Sequence, residues 1–501
     1  MLAIQDTFYA RWRVQSGVVL ILHEDTESPP ERLLQAVWFH QRLLRDRLRT
    51  LDGEPVLILH PGFHNLEGGP DFRQAIIQIG DSPPKQGDVE VDLRPSCWRA
   101  HGHDRNPAFK GVVLHVVWEG ERPTPGTPPR LQLCDFLDAT LGELSQWLNW
   151  ESTRAFPDQL RGKCCAPLKT LSGQERMELL HEAARVRLGG KGQMFEARAR
   201  QVGWEQSLWE ALFRALGYKH NVWPMQRLGE LRPRWLPRCT QSSALQARLL
   251  GLSGLLPAEL TRTRLAPDRY VRGVWDQWWR ERDEFSDVML PRNAWRLHGL
   301  RPANHPQRRL ALAAGWSLSE SVPAKLEAWC AADLSKHQMC SSLLEALQVA
   351  SDDFWSWHWT LQSTRLKKAQ PLLGPTRLAD LAVNVVIPWL WIRAVEGKNQ
   401  EVCKRLEQRY FQWPAAEDNS LLRLARERLL GENDRRILSN AAAQQGLIQM
   451  VRDFCENSNS VCDGCKLPQL VRDFQRERTT PDASGVLHTS CPVQMKSRTD
   501  A

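Results

Sequence analysis

Several things are scarce or missing in this chain of 501 residues. Tyrosine occurs only 4 times. No window approaches the roughly 18 uninterrupted apolar residues of a membrane-crossing helix. The opening "MLAIQDTFYARWRVQSGVVLILHED" lacks the basic-then-apolar layout of a signal peptide, since its apolar run "VVLIL" is short and late. These absences predict a cytoplasmic protein with no membrane partner. No fixed-period repeat is visible, which argues against a solenoid. There is no polybasic tail. A net charge of +8 and a pI near 8.9 permit nucleic-acid binding without demanding it. The 12 cysteines are scattered, a pattern of a reducing compartment rather than a disulfide scaffold. Tryptophan, by contrast, is abundant at 22, as in large helical domains packed through big side chains.

The distribution of patterns along the chain predicts an α+β protein: a small mixed α/β domain over 1–130, a mostly α-helical region of one or two subdomains over 131–454, and a cysteine-containing tail over 455–501 that is loosely ordered from 469. "PPERLLQAVWFHQRLLRDRLR" reads as a helix over 31–49, with Pro29 and Pro30 opening it and apolar residues at helical spacing. Short strand-like runs follow at 56–60, 75–79, 88–93 and 112–118. The Pro- and Gly-rich stretch 119–130 reads as a linker or edge loop. From about residue 136 onward helical periodicity dominates.

Chemistry-bearing residues gather between 71 and 115: Asp71, Glu90, Asp92, His101, His103, Asp104 and His115. Gly-Gly-Pro before Asp71 allows an irregular turn that sets Asp71 at the mouth of a strand. In "DVEVDL", side-chain alternation puts Asp88, Glu90 and Asp92 on one face and Val89, Val91 and Leu93 on the other. Carboxylates in register repel unless solvent or a cation compensates. The same strand is therefore either a solvated face or part of a divalent-cation site, for which Asp71 and Glu90 suffice with Mg2+ or Mn2+ and Asp92 is a third candidate. Paired His101 and His103 read either as an exposed turn or as groups that position a water or take its proton. His115, inside the apolar "VVLHVV", reads as a hydrogen-bonded core histidine.

The order helix, strand, strand opening at Pro-Asp, and strand carrying a glutamate resembles the layout of the PD-(D/E)xK nuclease-like fold over residues 29–118. Asp92 stands where that layout usually has lysine. "CWRAHGH" after a strand is also similar to the strand–Cys–Trp–His stretch of very-short-patch mismatch endonucleases, which implies a metal-assisted role for His101 or His103. Across about 30–466, "PGFHNLEGGPDF", "GDVEVDLRPSCWRAHGHD", "VVLHVVW", "GYKHNVWPMQRLGE", "LRPANHPQRR" and "NVVIPW" resemble the signature of an uncharacterised bacterial domain-of-unknown-function family. That pattern favours His where this chain has Asp92, which leaves Asp71 and Glu90 as the better pair.

At the C-terminal end, Cys455, Cys462 and Cys465 have C-x6-C-x2-C spacing, which fits a structural Zn2+ or plain thiols. The spacing also begins the iron–sulfur loop of endonuclease III-type glycosylases, but Val471 stands where that loop closes with cysteine. Arg301, Arg308 and Arg309 suit either phosphate contacts or ties to carbonyls and carboxylates. Three readings of function are consistent with these residues. The first is a metal-dependent nuclease-like phosphodiesterase acting on nucleic acid, with Asp71, Glu90, His101 and His103 as its working residues. The second is a non-catalytic scaffold that binds nucleic acid or protein. The third is a hydrolase of a small substrate in a closed pocket.

Overall fold

The computed structural model describes residues 7–19, 29–65, 68–148, 166–218, 220–257, 259–260, 269–318, 321–431, 438–455 and 465–479. The chain opens with helices α1 (Phe8–Gln15) and α2 (Glu31–His40). The strands are β1 (Val56–His60), β2 (Phe63–His64), β3 (Phe72–Ile79), β4 (Lys85–Asp92), β5 (Val112–Val117) and β6 (Arg130–Gln132). A one-turn helix, α3 (Cys97–Ala100), lies between β4 and β5. The sheet order is β1-β3-β4-β5-β6, with β2 paired to β3. β1, β3 and β4 run antiparallel, while β5 and β6 join in parallel. The chain is thus α+β, with a curled mixed sheet followed by a large helical region.

One face of the sheet carries Phe72, Ala75, Ile77, Val89, Val91, Leu114 and Val116 against Leu33, Leu34, Val37 and Trp38 of α2. Helix α4 (Leu141–Trp147) closes the same core with Leu141 and Leu144. Packing of the sheet core therefore continues past residue 130, and of the two readings of 119–130 the edge loop fits, since it leads into the edge strand β6. On the opposite face Leu59 and Ile76 enter the core of the helical region. A buried ion pair, Arg45 to Glu230 at 2.9 Å, ties the two regions together.

The helix expected over 31–49 ends at His40. Gln41 adopts a left-handed conformation, and the N–H groups of Gln41 and Arg42 close back onto Trp38 and Val37. Tertiary partners draw the next residues off the helix axis. Arg42 pairs with Asp138, Leu43 bridges to Leu137, and Arg45 reaches Glu230 and the Ile58 carbonyl. These contacts outweigh an apolar spacing that continues to favour helix.

The helical region is built on α5 (Gly173–Val202), 30 residues opened by a Ser172/Glu175 capping box. The next helices are α6 (Trp204–Leu216) and α7 (Val222–Glu230). The Pro375–Glu396 stretch is long and apolar enough to cross a membrane by length and composition, yet 72% of its window is buried within the protein. It is a core helix interrupted by a π turn over 382–386. The segment after residue 466 is not loose throughout. Leu467–Thr479 is a helix whose Leu470, Val471 and Phe474 share a core with α1 and with the Ala441–Phe454 helix.

Candidate metal centre

The acidic site forms at the C-terminal end of the central strand β4, beside the start of β3 and of α2. Its first element is the approach to Asp71 over residues 68–71. Gly69, at φ +116°, takes a conformation that L residues rarely adopt, and Asn65 donates to the Pro70 and Asp71 carbonyls. Asp71 emerges just before β3. One of its carboxylate oxygens accepts from the Val91 N–H at 3.1 Å and the other from Gln35 of α2 at 3.0 Å. Glu90 in turn accepts from the Asp71 N–H at 3.0 Å. The two acids thus hold each other's strands in place.

Alternation then works as expected on β4. Val89 and Val91 enter the core, and Glu90 and Asp92 turn to the other face. That face is not solvated: Glu90 is 7% exposed and Asp92 1%. Asp88 stays half-buried at a bulge, where it accepts from the Gln74 N–H. The reading of the strand as an exposed acidic face is therefore overturned for Glu90 and Asp92.

The histidines separate. In "CWRAHGH", α3 is a single turn ended by Gly102 at φ +72°, which swings His103 back beneath it. His101 stays at the mouth, its side chain 53% exposed and its Nδ1 3.6 Å from Asp92. His103 is 9% exposed, stacked on Phe109 at 3.9 Å and held edge-on by Trp98. Its Nδ1 lies 3.6 Å from Glu90 and has no hydrogen-bond partner among the described residues. His115 is fully buried, with Nε2 3.0 Å from Asp92, and is the hydrogen-bonded core histidine that its surroundings implied. Asp104 points outward beside Arg105.

Ligand atoms of Glu90, Asp92 and His103 lie within 4.8 Å of one another. The geometry adds Asp92 to the set and places Asp71 behind it, both of its oxygens already bonded. Among the described residues, no lysine or arginine pairs with Asp71, Glu90 or Asp92. Burial, then the charges of its neighbours, pushes the Asp71 carboxyl up to about 7. Burial and Asp71 together push Glu90 up to about 9. Glu31 at the start of α2 is raised as well, first by burial and then by Asp92. Such a set gains from a proton or from a cation.

A family model described as "Protein of unknown function (DUF2851)" matches residues 31–420. The chain belongs to this family. No curated protein and no solved structure matches it. The match spans the sheet, the acidic site and most of the helical region.

The other candidates fall elsewhere. Arg308 and Arg309 are 1% and 4% exposed and spend their donors on the carbonyls of His358, Gln370, Pro371 and Leu372. They brace the scaffold, as does Arg301 through Glu417. Cys455 and Cys465 pack against one core, whereas Cys462 lies outside the described residues. Sequence reading passed over Gln35, Trp98 and Phe109. The aromatic pair carried a signal: one residue lies on each side of the histidines, close enough to clamp a ring.

Proposed function

We propose that the chain is a metal-dependent phosphodiesterase of the nuclease-like type, acting on nucleic acid at Glu90, Asp92 and His103. The observation that carries this reading is the His103 ring. It is buried, clamped between aromatics, and holds an unpartnered Nδ1 3.6 Å from Glu90 and within reach of Asp92, two buried carboxylates with no lysine or arginine partner among the described residues. Buried charge of one sign is ordinarily paired or metal-bound. A mixed carboxylate and imidazole set suits Mn2+ better than Mg2+, which prefers oxygens and retained waters. The cation would neutralise charge developing on a phosphoryl oxygen and lower the pKa of a bound water.

The protein's own residues supply the rest. Asp71 and Gln35 fix the entrance of β3 against β4, which sets the position of Glu90. His115 donates from Nε2 to Asp92 and holds its carboxylate. His101, exposed at the mouth, is placed to take a proton from an attacking water. The element order also supports the reading: a helix, three antiparallel strands, a short crossover helix and a parallel strand, the layout resembled by the sequence over 29–118.

Calorimetric Mn2+ titration, paired with cleavage assays on single- and double-stranded DNA and RNA, tests this reading. The wild type is compared with Asp71→Asn, Glu90→Gln and Asp92→Asn. One bound ion, weakened tenfold or more by Glu90→Gln or Asp92→Asn together with loss of cleavage, is the expected result. A wild type that binds no metal, or cleavage indifferent to all three substitutions, overturns it and favours the non-catalytic scaffold.

A further inference from the structure

Between the helices Lys336–Leu347 and Pro375–Leu381 the chain runs from 348 to 374 without a helix or strand. Loops of that length inside a packed domain are uncommon, and are usually either functional or disordered. This one is pinned at many points. Phe354, Trp355 and His358 are buried, with the His358 ring stacked on Phe354 at 4.1 Å. Asp352 accepts from the N–H groups of Phe354 and Trp355. Buried Arg308 donates to the carbonyls of His358, Gln370 and Pro371. Further out, the Leu366 N–H donates to the Trp357 carbonyl and the Gln370 N–H to the Ser356 carbonyl, both at 2.7 Å. The outer half of the loop is thereby laid against the backbone of Ser356 and Trp357.

What this frame presents to solvent is cationic. Arg365, Lys367 and Lys368 are all exposed. The Arg365 guanidinium lies over the Trp357 ring, 4.2 Å from its centroid. Trp357 is only half-buried, so part of its indole stays open beside the cations. Unlike Arg301, Arg308 and Arg309, which are spent on the scaffold, none of the three has a hydrogen bond or an ion pair among the described residues. The sequence places no acid between Asp353 and Asp380, and Asp352 is engaged by Gln246 and the backbone.

We propose that the outer face of this loop is a contact surface for single-stranded nucleic acid. Arg365, Lys367 and Lys368 meet phosphates along the strand, and Trp357 with its covering guanidinium receives a base. Three free cations on a pinned backbone select a polyanion. The adjoining indole selects nucleic acid over an acidic peptide, since every base offers a flat face to stack and a run of carboxylates offers none. The surface goes beyond the metal-centre reading: it needs no cation and shares no residue with that site.

The test uses the full chain in EDTA, so that no metal contributes. Fluorescein-labelled oligothymidylate and labelled oligoglutamate are titrated separately into wild type and three variants. One carries Arg365→Gln, Lys367→Gln and Lys368→Gln together. The second carries only the two lysine changes and keeps the Arg365 contact with Trp357. The third removes the same charge elsewhere on the surface, through Lys336→Gln, Lys398→Gln and Lys404→Gln. All the replaced side chains are exposed, and a thermal melt checks that folding survives. Wild type should bind oligothymidylate, the first variant tenfold or more weaker, the second threefold or more weaker, and the third within twofold of wild type. In the first variant the plot of log affinity against log salt should be shallower by about 2, the share of three phosphate contacts on a single strand. No binding of oligothymidylate, an affinity that the first variant leaves within twofold, or an equal loss in the third variant overturns the proposal. Oligoglutamate bound as tightly as oligothymidylate, and lost in the same variants, also overturns it and assigns the face to an acidic protein. A chain that binds the oligonucleotide through this loop but holds no Mn2+ keeps this proposal and loses the enzyme.

Discussion

Two buried glutamates in this protein meet opposite fates. Glu230, at the end of α7, and Glu90, on β4, keep 3% and 9% of their side-chain surface exposed. Burial alone would raise both. Around Glu230, Arg45, Arg227 and Arg198 outweigh that cost and hold the carboxyl down at about 2. Around Glu90 the neighbours are Asp71, Asp92 and Glu31, and the carboxyl rises to about 9. One acid is a joint between the sheet and the helical region, with its compensation supplied by the chain. The other has no lysine or arginine partner among the described residues, and the residues beside it are those of the candidate metal centre. The contrast separates structural burial of charge from functional burial by neighbours alone.

The sharpest way to break the comparison is to remove the joint. Glu230→Gln leaves three arginines facing a neutral amide, and loss of one partner of a buried pair costs about 3–5 kcal/mol. Urea denaturation should show that loss. The effect has a pH signature of known sign. Because the folded carboxyl lies below its usual value of 4.5, its stabilisation is complete above about pH 4.5 and disappears as pH falls toward 2. The mutant and wild-type stability curves should therefore converge in acid. Curves that stay parallel down to about pH 2 would show that Glu230 is not held by its arginines.

At the acidic site the expected sign is reversed. Asp71 and Glu90 are raised, so the folded state holds their protons more tightly. Their contribution is complete below about pH 4 and is lost as pH climbs through about 7 and about 9. Metal-free protein should lose melting temperature from about pH 5 to about pH 9, and Glu90→Gln should flatten that loss. At neutral pH the Glu90→Gln protein should be as stable as wild type or slightly more stable. A loss of about 1–3 kcal/mol there would mark Glu90 as an ordinary hydrogen-bonded structural acid.

Metal binding should report the same protons. A cation displaces the proton on Glu90, so Mn2+ affinity should rise about tenfold per pH unit between about 7 and 9 and level off above. Calorimetry in two buffers of different ionisation enthalpy would count the released proton. An affinity flat across that range would show that Glu90 is not a ligand.

How much of this was legible beforehand follows from the range of the interactions involved. Alternation on β4 and the Gly-Gly-Pro turn are local, and both folded as read: Val89 and Val91 faced the core, and Asp71 stood at the mouth of β3. The end of α2 was set by Asp138 and Glu230, roughly 100 and 190 residues away, and no spacing within "QRLLRDRLR" carries that information. The same limit explains Asp92. Its burial depends on His115 of a parallel neighbour and on the fold of α3 over the strand end. The helix at Leu467–Thr479 was missed because its apolar residues are few and find their partners far off in sequence, among them Phe8 and Trp12 of α1, more than 460 residues earlier.

The smallest effect belongs to the most exposed member of the site. His101 is 53% exposed in its side chain, and it approaches Asp92 no closer than 3.6 Å. Surface substitutions of this kind usually change stability by less than about 0.5 kcal/mol, so His101→Ala should melt with wild type. It is not one of the three groups whose ligand atoms converge, so Mn2+ affinity should stay within about threefold. Cleavage should nonetheless fall, by about 100-fold if the ring takes a proton in the reaction. His103→Ala supplies the contrast: it should lose metal affinity and cleavage together, because its ring faces Glu90 from inside. If His101→Ala cleaves like wild type while His103→Ala does not, the mouth histidine is a bystander and the proton must go elsewhere. If both lose metal equally, the two rings share the cation and the distinction between mouth and interior fails.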